Sequence, residues 1–279
     1  MKPQLALHLY SDLDKKKPYS TGKEYAVFEK YDGWYGYADL PSCIIHSRAG
    51  REIPALVELS DAIRKAAPKV RGRLIFEILI DDVPEFHELN GILNRKYEQA
   101  EGAYIRVHDF LPDFKCDVPL SIRYQYAAEI VERINLPSVS LAPILGYADT
   151  PEKMYKFAEA IWKQDGEGVI LKEVSAGYSE GKRNASLLKI KEDLTLDLLV
   201  VGTVKGQGKY SHMIGAIQAQ DKLGRVHLIG SGLTDDMRMD HSIVGQVVEI
   251  KAMKQLKDGS LREPRLKAIR YDKLVSEID

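Results

Sequence analysis

The chain has 279 residues, and 40 Lys and Arg balance 41 Asp and Glu for a formal net charge of -1. That length suits two domains of ordinary size, and the balanced charge means that any affinity for nucleic acid must come from local clustering. Cys43 and Cys116 have no paired spacing, which excludes a zinc ribbon or a disulfide framework; with no signal-peptide core, membrane-length apolar run or spare apolar heptad, a soluble cytoplasmic monomer is expected.

Residues 11 to 24 are polar and read as a surface loop. Tyr25-Ala26-Val27-Phe28 then forms a short strand ending at Lys30, and Trp34 to Leu40 a second, with Tyr35 and Tyr37 alternating. The turn between them, Lys30-Tyr31-Asp32-Gly33, places a lysine at a strand end, where a side chain is held by a sheet yet open to a cleft. Cys43 to Ser47 makes a third strand leading into Arg48-Ala49-Gly50-Arg51, and a helix follows from about Pro54. Arg73 to Leu79 is an apolar strand interrupted by Glu77, a carboxylate that is costly there unless it is paired or binds a metal.

Ala103 to Leu111 is another strand and carries His108 and Asp109; a helix spans about Ile122 to Ile134, and Val139 to Leu145 is a strand. Thr150-Pro151 caps a helix that stops at Asp165-Gly166. Glu167-Gly168 then precedes an apolar strand ending at Lys172, and after a Gly/Ser-rich loop Leu188-Lys189-Ile190-Lys191 sets two lysines on one strand face. Beyond residue 193 the pattern changes to five short strands, at 196–204, 213–220, 225–230, 247–252 and 266–270, with a brief helix near Asp235 to Val244. This suits a β-barrel of the OB-fold type over residues 194–279, following an α+β domain over residues 1–193.

Taken singly, each feature has an ordinary structural reading: a turn lysine, an edge carboxylate, lysines solvating one face. Their order is what points to chemistry. The series Lys30 to Gly33, Ser47-Arg48, Glu77, His108-Asp109, Glu167 to Lys172 and Leu188 to Lys191 resembles the motifs of the covalent nucleotidyltransferases, which include ATP-dependent DNA ligases, RNA ligases and capping enzymes. Gly230 to Asp235, Leu261 to Arg265 and Arg270-Tyr271-Asp272-Lys273 resemble the OB domain of ATP-dependent DNA ligases, including its last motif.

This resemblance implies a minimal ligase of the phage, viral or bacterial accessory type. Its first domain would be an ATP-grasp-like adenylation domain of antiparallel sheets with flanking helices, and its substrate nicked double-stranded DNA. Lys30 would take AMP from ATP, with Mg²⁺ or Mn²⁺ held by Glu167, Glu77 and Asp32. Glu29, Arg48, Glu77, His108, Glu167 and Lys172 would form the nucleotide site, and His108 would stack on adenine. Lys172, Lys189 and Lys191 would neutralise phosphate charge, and Arg270, Asp272 and Lys273 would assist the first step by a hinge near Lys191 to Leu194. Arg48, Arg51, Lys251, Lys254, Lys257, Arg262, Arg265 and Lys267 are the expected DNA contacts.

The chemical requirement agrees. A free lysine has a pKa near 10.4, so roughly one in a thousand is neutral at pH 7.5, and nearby cations raise that fraction. Two positions depart from the family pattern: Tyr35 replaces an arginine, and Phe28 offers adenine no side-chain hydrogen bond. An RNA ligase or a GTP-dependent capping-type enzyme is the alternative on the same scaffold; the OB motifs favour DNA.

Overall fold

A computed structural model describes residues 2–9, 19, 20, 22–81, 83, 86–192, 194–256 and 258–279. The chain divides into two compact units, Met1–Lys191 and Glu192–Asp279. Among the described residues, no helix is long and apolar enough to cross a membrane.

The first unit runs β1 (Leu5–His8), β2 (Tyr25–Glu29), β3 (Trp34–Leu40), β4 (Ile45–Ser47), α1 (Val57–Ala66), β5 (Gly72–Ile80), α2 (Phe86–Leu93), β6 (Ala103–Pro112) and α3 (Leu120–Ile134). It continues through β7 (Val139–Leu141), β8 (Ile144–Ala148), α4 (Pro151–Trp162), β9 (Gly168–Glu173) and β10 (Arg183–Lys191). Two five-stranded sheets result, ordered β1-β10-β9-β2-β8 and β4-β3-β5-β6-β7. Both are antiparallel except for one parallel pair each, β1 with β10 and β6 with β7.

Period-two alternation sorts the side chains of these strands. In the first sheet, Tyr25, Val27, Val169, Leu171, Leu188 and Ile190 pack with Met154 and Ala158 of α4. The intervening residues, including Phe28, Ile170, Lys172 and Lys189, line a pocket. In the second sheet, Leu74, Phe76 and Ile78 pack with Ile63 of α1 and Ala127, Ile130 and Ile134 of α3, while Tyr35 and Glu77 line the same pocket. The two sheets therefore enclose the pocket between them, and helices cover their outer faces.

The expected strand from Val139 to Leu145 is in fact two. β7 joins the second sheet and β8 the first, with Ala142-Pro143 between them. Proline has no N–H to offer a ladder, so the chain changes sheets there. Strand β1 and helix α2 are additions to the expected elements. The expected loop at residues 11–24 lies largely outside the described residues.

The second unit comprises β11 (Leu194–Lys205), β12 (Ile214–Gln220), β13 (Val226–Ile229), α5 (Asp235–Met239), β14 (Val247–Ala252), β15 (Lys254–Gln255), β16 (Leu261–Arg262) and β17 (Arg265–Ile269). Its main sheet, β13-β12-β11-β14-β17, is open rather than a closed barrel. Its two edges meet through one bridge, Ser231 to Arg265, where Leu266 N–H donates to the Ser231 carbonyl at 2.9 Å. Gly232 permits this approach: its φ is +87°, and a Cβ there would lie 2.1 Å from the Leu266 oxygen. The small β15-β16 hairpin is a further departure from the five-strand expectation.

Candidate active site

Lys30 follows the last residue of β2, and its N–H donates to the Gly168 carbonyl at 2.9 Å. That bond sets the start of β9 beside the lysine. Lys30 Nζ lies 2.5 Å from Glu167 Oε2, and the two side chains are 22% and 15% exposed. Gly168 makes the junction possible. Its φ is +141°, and a Cβ would meet the Ile190 oxygen at 2.1 Å and the Lys191 Cα at 2.9 Å. Gly168→Ala is therefore expected to cost about 2–4 kcal/mol of stability, measured by urea unfolding. A wild-type midpoint would refute this account of the junction.

The pocket has a volume of about 300 Å³. It brings together most of the nucleotide-site residues expected from sequence: Glu29, Lys30, Arg48, Glu77, His108, Lys172 and Lys189 all line it. Glu167 joins through its ion pair with Lys30. Lys191 lies along the same strand face as Lys189, and its charge acts on that residue.

At the pocket's depth is a buried ionic cluster. Asp109 is 1% exposed and Arg123 3%. Arg123 Nε donates to Asp109 Oδ1 at 2.8 Å, and Nη1 donates to the carbonyls of Val118 and Ala176. Lys172 Nζ donates to the His108 carbonyl at 2.8 Å, stands 2.9 Å from His108 Nδ1 and 3.3 Å from Asp109 Oδ2. Phe28 is the floor beneath it, with its ring centroid 5.1 Å from Lys172 Nζ.

Against the cost of burial, Lys172 and Arg123 hold the Asp109 carboxyl down at about 2. Burial, and then the Lys172 charge, push the His108 ring down to about 3. Since Lys172 is a donor, His108 Nδ1 accepts and the neutral ring carries its proton on Nε2. Burial lowers the Lys172 pKa; Asp109 opposes that shift and the Arg123 charge adds to it. Lys189 is lowered as well: burial, Lys191, Lys30 and Arg183 together bring it to about 8, a crowding of cations that a bound anion would relieve.

Glu77 is the group without a match. Its Oε2 is buried and has no hydrogen-bond partner. Burial raises its pKa to about 7, Lys30 opposes the rise, and the Glu167 charge adds to it. The expected metal trio does not gather, because Asp32 stands in the turn after β2, beyond the reach of strand alternation, and is not in the pocket wall. Among the described residues, no three His, Cys, Asp or Glu side chains are grouped to hold a metal. The pair Glu77 and Glu167 still fits Mg²⁺, which takes one or two carboxylates and completes its shell with phosphate oxygens and water.

Sequence reasoning missed Arg123, Gln4 and Tyr178. Arg123 had a signal, since it shares the helical stripe of Leu120, Ala127, Ile130 and Ile134. At the position of the absent arginine, the Tyr35 hydroxyl lies 3.3 Å from that of Tyr178, which accepts from Gln4 N–H at 3.0 Å. Arg51 is exposed and outside the pocket wall, whereas Arg48 reaches it.

In the second unit, the register pairs Lys251 with Arg265 and Lys254 with Arg262. These basic residues therefore face the same way across their ladders. Lys267 follows on β17, two residues beyond Arg265. Lys257 lies outside the described residues. Arg270, Asp272 and Lys273 follow β17, where Arg270 donates to Asp272 at 2.9 and 2.7 Å.

Residues 15–191 match the ATP dependent DNA ligase domain. The chain belongs to the ATP-dependent DNA ligase family. Residues 205–270 of this ligase-family chain match the DNA ligase OB-like domain. It is 32% identical over 240 residues to DNA ligase 2 of Methanosarcina mazei, covering 77% of this chain and 42% of that protein. It is 25% identical over 269 residues to the DNA ligase of Halorubrum lacusprofundi, covering 80% and 44%. The family member described here thus spans less than half the length of these curated relatives. Its fold resembles that of a Lig E DNA ligase, a protein described as binding DNA with a minimal scaffold, at a TM-score of 0.78, 21% identity and coverage of 97% of this chain and 99% of that one. The ATP-bound ligase of bacteriophage T7 gives 0.56 at 17% identity, covering 96% and 98%.

Proposed function

We propose that the chain is an ATP-dependent DNA ligase that seals 5′-phosphate/3′-hydroxyl nicks in duplex DNA, acting as a monomer. The observation that carries this reading is Lys30, held by Glu167 at the pocket in which Lys191, Lys30 and Arg183 crowd Lys189. In the first step Lys30 Nζ gives up protons to solvent and bonds to the α-phosphorus of ATP, pyrophosphate leaves with the electron pair of the broken bond, and lysyl-AMP remains. A nick 5′-phosphate oxygen then takes the AMP from Lys30, and the 3′-hydroxyl displaces AMP to close the backbone.

In this reading Glu167 orients the lysine, and Lys189 and Lys191 balance phosphate charge. The flat, neutral His108 ring stacks on adenine, and Arg48 takes a phosphate contact in place of the arginine absent at Tyr35. Glu77 and Glu167 would hold Mg²⁺, which supplies charge neutralisation at the phosphates. The first step also draws on Arg270 and Lys273.

The test is to incubate the protein with α-labelled ATP or GTP and Mg²⁺, denature it, and count retained label, then add nicked DNA or nicked RNA to the labelled protein. Label from ATP that is discharged by nicked DNA is the expected result. No protein-bound label, or discharge by RNA alone, would overturn the reading.

Binding of the nick is expected to weaken with salt by a log-log slope of about -0.9 per phosphate contact. Arg265→Gln should make the slope shallower by about that amount. A flat salt response in a titration with nicked duplex would remove the basic surface of β14 to β17 from the proposal.

A further inference from the structure

The last motif is occupied by its own carboxylates. Arg270 Nε and Nη2 donate to Asp272, while Nη1 donates to both oxygens of Asp197 at 3.2 Å and lies 3.6 Å from Glu249 Oε2. Lys273 Nζ lies 2.5 Å from Asp197 Oδ2. Asp197 is the buried member, with a side chain 8% exposed against 67% for Asp272. It sits on β11 opposite Glu249 of β14, a pair of like charges that is unfavourable without cations between them. The Asp279 backbone and carboxylate fix the Asp197 backbone in turn, at 2.9 and 2.7 Å.

This arrangement decides what Arg270 can offer. A guanidinium grips an anion with two adjacent N–H groups. Here Asp272 takes the Nε/Nη2 edge and Asp197 draws on Nη1, so each adjacent pair of nitrogens already holds a carboxylate. Two cations face three carboxylates, a net formal charge of -1. A polyphosphate meeting the cluster in this form is repelled. Once Asp197 and Glu249 let go, Arg270, Lys273 and Asp272 carry a net +1.

Building on the ligase reading above, we propose that Asp197 is a positioning residue that parks Arg270 and Lys273 on β11 and so sets the ATP concentration at which they are surrendered to the polyphosphate. Asp197→Asn keeps the shape and the backbone bonds and removes the charge. The variant should form lysyl-AMP at an apparent ATP concentration roughly threefold to tenfold lower than wild type. Its sealing of a synthetic pre-adenylylated nick, which needs no contact to polyphosphate, should be unchanged. Glu249→Gln should move the ATP dependence the same way by a smaller factor, and keeps the proposal open to test if the first variant folds poorly.

An unchanged ATP dependence in both variants overturns the proposal. So does slower lysyl-AMP formation with sealing intact, which would make Asp197 a presenter of these cations rather than a restraint. A parallel fall in both activities assigns it a scaffold role and also overturns the proposal. If wild type itself takes no label, the ligase reading falls and this proposal falls with it; label on wild type with no shift in the variants removes the proposal alone.

Discussion

Lys30→Ala is expected to lose retention of α-labelled AMP by roughly 10⁴-fold or more. The side chain is the only nucleophile the proposed first step employs, and Nζ is already aimed by Glu167 at 2.5 Å. Lys30→Arg is the sharper variant. It keeps a cation beside Glu167, yet a guanidinium does not lose its proton near neutral pH and cannot attack phosphorus. Equal loss in both variants, with unfolding midpoints close to wild type, assigns the effect to bond formation rather than to pocket electrostatics. Wild-type labelling of either would remove Lys30 from its role.

The second large effect concerns stability. Asp109→Ala leaves Arg123 and Lys172 buried without their shared carboxylate, and breaking a buried pair from one side costs about 3–5 kcal/mol. Urea unfolding at pH 7 should show that loss, and a change below about 1 kcal/mol would refute the cluster's importance.

The pH dependence has a defined sign. Asp109 is held at about 2, below its unfolded value. Its contribution is therefore complete above about pH 4 and disappears as the pH falls through 2. His108, held at about 3, is neutral in the fold, so the unfolded ring takes up its proton first. Stability from that ring fades as the pH falls from about 6.5 toward 3. Wild type should therefore lose stability in two overlapping acid phases, and Asp109→Ala should lack the lower one.

Much of the pocket was legible in the sequence, because its residues occupy strand positions governed by alternation. Phe28, Lys172 and Lys189 face one way and Val27, Leu171 and Leu188 the other, a pattern readable without coordinates. The exceptions have physical causes. Asp32 lies in a turn, where alternation no longer dictates direction, so its placement beside Glu77 and Glu167 was an expectation from motif order alone. Pro143 divides a run that looked continuous, since missing one ladder donor is enough to send the chain to another sheet. Arg123 was hidden by its type: a guanidinium on an apolar helix stripe passes for a surface charge until Asp109 and the Val118 and Ala176 carbonyls are found around it. The bridge between the edges of the second unit's open sheet turns on Gly232, a single residue whose contact with Leu266 is long-range.

The parallel pairing of β1 with β10 bears on how the protein is made. Pro3 to Ala6 supply part of the pocket wall, yet Leu5 and Arg183 pair across about 180 positions of sequence. During synthesis the first residues of this wall leave the ribosome long before their neighbours in β10 exist. The pocket proposed for the nucleotide therefore has no complete wall until the chain has been made through Lys189, and a nascent chain shorter than that carries Lys30 without the enclosure its proposed chemistry needs.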